Sequence, residues 1–309
     1  MPVEHPKLEA LLTAAATGVE NRLGVVYPCS EDSLTAALTV RDLGIASVSL
    51  FGPIHQIEEL ALGMNQSLSG LTIHDTGHDP VDAAKEAVRH CRLDLAPSDE
   101  VLTVLMKGSL HTDELLSAVL NKAEGLRTTQ RLSHVFEFDI PGFEKSVFLA
   151  DAVVNISPSL EDKKGILESA LQAIRCRGII NPRVAVVAAT ESVNPKIPAT
   201  LDAEALVALG REGYFGDAII EGPMGLDMAL SARAAEIKGV QSQVSGQVDL
   251  ILAPDLNAGN MLFKSFIYAA KAECAGVVLG AKIPIVLTSR ADSAYSRVAS
   301  CALAALISR

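Results

Sequence analysis

The sequence has few cations and no block of them: 26 Lys plus Arg stand against 37 Asp plus Glu in 309 residues, a formal net charge of −11. Nucleic acid is held by clustered positive charge, so this balance argues against such a partner. No run approaches the ~18 uninterrupted apolar residues that span a bilayer, which argues against a membrane protein. The opening MPVEHPKLEA lacks the basic region and apolar run of a signal peptide. Cysteine is sparse: Cys29, Cys91, Cys176, Cys274 and Cys301 are scattered, odd in number and never spaced CxxC. That pattern excludes a disulfide framework or a thiolate zinc site and fits free thiols in a reducing cytoplasm. Also missing are GxGxxG, a P-loop, an acidic triplet of metal-ligand type, a solenoid-length repeat and any low-complexity segment. Long like-charge runs are lacking too, and with 49% hydrophobic residues the chain is not disordered. A cytoplasmic globular protein without a metal is expected.

What is present is a repeated alternation. A short β-branched run gives way to a polar or Gly-containing turn, then to an amphipathic stretch. Strands at 24–27, 47–51 and 101–106 precede helices at 31–43, 54–61 and 113–120. Alternation of this kind implies parallel strands with helices on the sheet faces, so the fold class is α/β. Residues 131–150 break the rhythm with two extended runs around Asp139-Ile140-Pro141-Gly142, which reads as a hairpin and a change of architecture near mid-chain. The rhythm then restarts with a strand at 151–156 and a helix at 160–176, for which Ser159 is the candidate N-cap. Further strands are expected at 184–188, 218–220, 248–252, 276–279 and 283–287, and a last helix at 294–307.

In open α/β sheets ligands bind at the carboxyl ends of the strands. The polar clusters fall at those ends: Lys107-Gly108-Ser109, Thr190-Glu191-Ser192, Glu221 to Gly225, Pro254 to Asn260, and Thr288 to Ser293. Small residues let the backbone approach a ligand, and exposed helix-start amides favour anions, so an anion-accepting cleft is expected there. Arg290, beside Ser289 at the end of an apolar run, could grip a phosphate bidentately and stabilise an oxyanion. Arg127, Arg131 and Lys107 are further candidate cations, with Lys107 expected at the cleft mouth. His74 and His78 are spaced i, i+4, but the intervening Asp75-Thr76-Gly77 argues for a loop without metal. His111 and His134 could act as bases, yet nothing in the sequence places a nucleophile beside them. Cys176 and Cys274 are expected on helix packing surfaces as inert thiols.

The stretches MKGSLHTDELLSAVLNKAEGLRT and RLSHVF (106–136), DAVVNISPSLEDK (151–163), VNPKIPATLDA (193–203), EGPMGLDMALS (221–231), PDLNAGNMLFKS (254–265) and LTSRADSAYSRVAS (287–300) resemble the phosphate acetyltransferase/phosphate butyryltransferase family. VNPKIPAT and SRADS lean towards the butyryl branch. The resemblance implies reversible acyl transfer between coenzyme A and phosphate, with coenzyme A as a substrate and no cofactor. It implies two α/β domains of the isocitrate/isopropylmalate dehydrogenase type, residues 1–137 with 280–309 and residues 138–279, a cleft between them, and a homodimer. Ser289 and Arg290 fall on the family's Ser-Arg pair, and Arg127 on a second arginine. Asn257, Gly259 and Asn260, in PDLNAGN, join Arg127 and Lys107 as substrate-binding candidates. Acetyl-type members carry an aspartate six positions beyond the arginine as the proposed base; here that position is Ser296, and Asp292 is the nearest carboxylate.

A direct transfer is expected, in which the coenzyme A thiolate attacks the acyl carbonyl and Arg290 holds the oxyanion. Two competing readings are a non-catalytic sensor of coenzyme A or acyl phosphate, and an NAD- and metal-dependent decarboxylating dehydrogenase. The second lacks the clustered aspartates it needs.

Overall fold

The computed structural model describes residues 5–16, 20–92, 94, 101–288 and 292–308. In chain order it begins with α1 (Pro6–Ala15), β1 (Arg22–Val26), α2 (Glu31–Asp42), β2 (Ser47–Gly52), α3 (Ile54–Gly63), β3 (Thr72–Asp75), α4 (Pro80–His90), β4 (Val104–Lys107) and α5 (Thr112–Val119). There follow β5 (Ser133–Asp139), β6 (Val147–Ala150), α6 (Leu160–Cys176), β7 (Arg183–Val187), α7 (Pro198–Arg211), β8 (Ile219–Met224), α8 (Leu226–Leu230), α9 (Ala232–Ile237), β9 (Leu250–Leu252) and α10 (Leu256–Lys264), which ends in a π-helical turn, Ser265–Ala269. The last elements are β10 (Glu273–Leu279), β11 (Ile285–Val286) and α11 (Ala294–Ile307). The chain is mixed α/β, and no helix among the described residues is long and apolar enough to cross a membrane.

Contacts divide the chain into two compact units. The split unit comprises Leu8–Gln130 and Cys274–Arg309; the central unit comprises Arg131–Glu273 with Met1–Lys7. In the split unit the strands run in the order β3-β2-β1-β4-β11-β10, parallel except for β10 against β11. Its core is built from fully buried side chains such as Val25, Leu50, Phe51 and Leu105. In the central unit the order is β5-β6-β9-β7-β8, parallel except for the β5–β6 hairpin.

Helix starts follow local chemistry. Ser30 and Ser33 close a capping box on α2, Ser159 and Asp162 close one on α6, Asp79 caps α4 ahead of Pro80, and Ser293 caps α11. Each cap satisfies an amide that the first helical turn leaves without an internal partner.

Two expectations are corrected. Residues 151–156 form no strand: the Asp151 carboxylate turns inward and accepts from the amides of Val153 (2.8 Å) and Val154 (3.0 Å), which bends the chain at once after β6. Residues 72–75 are a strand, not a loop, and His74 lies on it, stacked against Phe51 at 4.5 Å. His78 follows Gly77, whose φ of +70° breaks the spacing needed for two ligands on one helix. The Pro254 to Asn260 cluster is a helix start: Asp255 accepts from the Ala258 amide, and α10 begins at Leu256.

Candidate functional site

In the split unit, the register Val26↔Lys107, Leu105↔Ile285 and Met106↔Val286 sends three segments off the same sheet edge. These are Tyr27 onward, Lys107-Gly108-Ser109, and Leu287-Thr288. The Gly108 and Ser109 amides donate to Val26 O (2.8 Å) and Tyr27 O (2.7 Å), and a Cβ on Gly108 would stand 2.4 Å from Tyr27 O. That glycine is required by the approach of two backbones. Lys107 does not reach out to a cleft mouth. It is 5% exposed, and its Nζ turns back to donate to Leu110 O at 3.2 Å. Ser109 Oγ, at the carboxyl edge, is buried with no hydrogen-bond partner among the described residues.

Ser289 and Arg290 lie outside the described residues. The residues on either side are placed. Thr288 is buried, Asp292 is half-buried, and Ser293 Oγ accepts from the Ser296 amide at 2.9 Å. Arg127 is exposed, and its backbone pairs with Ala281, in the segment entering the amino end of β11. α5 has carried the chain back across the sheet by then, so Arg127 and Lys107 leave from opposite edges and are not brought together. The sequence reading missed Arg297. It is 4% exposed, and its Nη1 donates to Thr288 Oγ1 at 2.9 Å. The signal was available: AYSRVASCALAALI contains a single charge, which a buried helix must place against partners.

In the central unit, β6, β9, β7 and β8 are parallel, and Val135↔Ala150 places the start of β5 at the carboxyl end of β6. Asp151, 3% exposed, also accepts from Asn155 Nδ2 at 2.6 Å. Asn155 in turn donates to Leu132 O at 2.9 Å and accepts from Arg131 Nε. Arg131 Nη1 reaches Asp162 at 2.6 Å, so this candidate cation is held in an ion pair. Ser159 N–H and hydroxyl donors, with Arg131, hold the Asp162 carboxyl below its ordinary range.

His134, on β5, is 2% exposed and stacks on Phe136 at 4.0 Å. Neither ring nitrogen has a hydrogen-bond partner among the described residues. Burial pushes its pKa down to about 4 against the opposing pull of Asp151, so the ring is neutral at pH 7.

The three α10 candidates divide. Asn257 is exposed in the first turn. Asn260 Nδ2 donates to Ala152 O at 3.2 Å, and a Cβ on Gly259 would stand 2.3 Å from Asp151 O. Asn260 and Gly259 therefore dock the helix on the loop after β6, a structural task the sequence reading had given to ligand binding. The Asp255 carboxylate caps the α10 start, which opposes an anion there.

Beside α10 lies an apolar cavity of about 310 Å³. Ala258 and Leu262 of α10, Leu226 of α8, Val187 at the end of β7, and Ala253 and Pro254 after β9 line it. Asp227, the residue after Leu226, is in an ion cluster: Lys238 Nζ meets Glu191 at 2.6 Å and Asp227 at 2.8 Å, and this contact lowers both carboxyl pKa values.

The thiols offer no nucleophile. Burial raises Cys29 to about 11 and Cys301 to about 12, and Cys274 is buried on β10. Cys176 is exposed at the end of α6, not on a packing surface.

A family model described as "Phosphate acetyl/butaryl transferase" matches residues 97–305. This chain belongs to that family. A phosphate acetyltransferase of Rhizobium meliloti is 41% identical over 99% of this chain and 94% of its own length. A phosphate butyryltransferase of Clostridium beijerinckii is 38% identical over 93% of this chain and 92% of its own. Among solved structures, a branched-chain phosphotransacylase from Enterococcus faecalis covers 94% of this chain and 99% of its own at a TM-score of 0.78 and 26% identity. Identities of 41% and 38% to the two kinds of phosphate acyltransferase do not separate acetyl from butyryl. Ser296, six positions beyond Arg290, is buried, with its Oγ 4.0 Å from Cys274 Sγ.

Proposed function

We propose that this chain catalyses reversible acyl transfer between coenzyme A and inorganic phosphate: acyl-CoA + phosphate = acyl phosphate + CoA. The observation that carries this reading is family membership at 41% identity across 99% of the chain. In the direction of acyl-CoA formation, the coenzyme A thiol loses its proton and the thiolate attacks the acyl carbonyl. The carbonyl C–O bond to phosphate then breaks, and phosphate leaves with the electron pair. Arg290 stabilises the tetrahedral oxyanion, Ser289 hydrogen-bonds beside it, and Asp292 takes the thiol proton. With an ordinary pKa near 8.5 the thiol needs only modest help to ionise. Lys107 contributes positive potential from a buried position, and Ser109 Oγ supplies a hydrogen bond to the phosphoryl group. Of the remaining candidates, Arg127 and Asn257 are kept as exposed substrate contacts, while Gly259 and Asn260 act through the α10 packing.

Coenzyme A is a substrate in this scheme, and no cofactor enters. A cytoplasmic homodimer with an isocitrate/isopropylmalate dehydrogenase-like build is the setting the family resemblance implies. No feature favours the sensor or the dehydrogenase reading.

The test is phosphate-dependent release of free thiol from acetyl-, propionyl- and butyryl-CoA by wild type and Arg290→Ala. Removing one oxyanion donor costs about 2.7 to 4 kcal/mol, so turnover in the variant should fall on the order of a hundredfold or more. Near-normal turnover in folded Arg290→Ala would remove Arg290 from the mechanism.

A further inference from the structure

Three strands of the split unit begin with polar residues on one face of the sheet. The registers Arg22↔Ser47, Gly24↔Ser49, Ser49↔Thr72 and Phe51↔His74 set these residues side by side, and alternation along each strand keeps them on the same face. The opposite face carries Leu23, Val25, Val48 and Leu50, all buried. α4 ends over the polar face: its last residue, His90, lies edge-on to the Phe51 ring at 5.2 Å and 4.5 Å from the His74 ring. Beside it is a cavity of about 180 Å³, lined by Glu20, Arg22, Ser49, Thr72, His74 and His90 among others. These are the amino ends of β1, β2 and β3, so the cavity stands apart from the carboxyl edge that carries Lys107, Gly108 and Ser109.

Arg22 is the residue that asks for a ligand. Its side chain is only 24% exposed, yet among the described residues the guanidinium makes no hydrogen bond, and its ion contact is with Glu20 Oε2 at 3.7 Å. Glu20 is 77% exposed and too distant to accept. A guanidinium is a rigid fork of N–H donors, and one drawn largely out of water needs acceptors. The hydroxyls of Ser49 and Thr72 also make no hydrogen bond among the described residues. Glu86, behind His90, is occupied by Arg89 and by His90 Nε2 at 3.2 Å. The cavity therefore offers a fork and two hydroxyls against one loosely held carboxylate, which can turn into solvent. That donor set fits a compact oxyanion, which takes a guanidinium bidentately and hydroxyl donors on its other oxygens. A cavity of about 150 Å³ takes up a benzene-sized guest, so this one has room for a phosphate group and not for a nucleotide.

We propose that this cavity is a binding site for a phosphate-type oxyanion, inorganic phosphate or the phosphate group of a small monoester, held by Arg22 with Ser49 and Thr72. The site is distinct from the one at which acyl transfer is placed, and it does not depend on that reading.

The experiment is an NMR titration of the full chain that follows the imidazole signals of His74 and His90. Chloride is replaced by inorganic phosphate or by glycerol 3-phosphate at fixed pH and ionic strength. The chain has seven histidines, and His74→Gln and His90→Gln assign the two signals. Phosphate should move both signals saturably in wild type. Arg22→Gln should raise the Kd at least about tenfold, the loss expected for a charge-assisted pair. Glu20→Gln removes the opposing carboxylate at an exposed position and should lower the Kd about two- to fivefold. The two variants act in opposite directions, so loss of fold in Arg22→Gln still leaves Glu20→Gln to decide. Saturation by inorganic phosphate alone would name the free ion as the ligand, and tighter saturation by glycerol 3-phosphate would name a monoester. Shifts that fail to saturate with either anion, that persist with the same Kd in folded Arg22→Gln, or that Glu20→Gln leaves unchanged would overturn the proposal.

Discussion

Arg297 Nη1 donates to Thr288 Oγ1 at 2.9 Å, and both residues are buried in the split unit, one near the start of α11 and the other just beyond β11. A guanidinium taken out of water must keep its acceptors, because a buried donor left without one costs its full desolvation penalty. The hydroxyl of Thr288 thus anchors the end of a strand that leads directly into Ser289 and Arg290.

Thr288→Val keeps the shape and deletes the acceptor. It should lower stability by about 1 to 3 kcal/mol in denaturant unfolding, while Thr288→Ser, which keeps the hydroxyl, should lose much less. Equal stability of the valine and serine variants would show that the hydroxyl is not what satisfies Arg297.

His134 gives a pH signature. Its folded pKa, about 4, lies below the ordinary value of 6.5 because burial opposes the charge. Between those two values the unfolded chain binds a proton that the folded chain does not. The stabilisation is therefore fully present above about pH 6.5 and is lost as pH falls towards 4, by about 3 kcal/mol in all. His134→Phe should flatten this part of the stability-pH curve. A variant curve parallel to wild type across that window would contradict the assignment.

Gly259 separates packing from ligand approach. Gly→Ala inside a helix ordinarily gains up to about 1 kcal/mol. Here the new Cβ would meet Asp151 O at 2.3 Å and Ala152 Cα at 3.0 Å, both backbone atoms. Gly259→Ala should therefore lose about 1 to 3 kcal/mol on thermal or denaturant unfolding. A gain in stability with loss of activity would instead return this glycine to the substrate.

Much of the fold was legible from local signals. α2, α6 and α11 stand where the alternation of the sequence places them, α6 with its expected Ser159 cap, and the β5–β6 hairpin sits around its Pro-Gly turn. These features depend on residues three or four apart, which any reader of the chain can see. The ordered motifs through 106–300 were likewise enough to indicate the family.

The tertiary structure decided what lies far apart in the chain. Asp151 looked like the first residue of a strand, but its carboxylate closes a turn on Val153, Val154 and Asn155. Lys107 looked like a cation at a cleft mouth, yet its ammonium folds back on Leu110 O inside the protein. Gly259 and Asn260, substrate-binding candidates by sequence, lie on a helix face held to a backbone 108 residues earlier in the chain. The cavity beside α10 draws its lining from the ends of two strands and from two helices, so no single stretch of sequence contains it. Caps and periodicity are local properties of the chain, whereas burial, packing clearance and cavity shape are set by which distant segments meet.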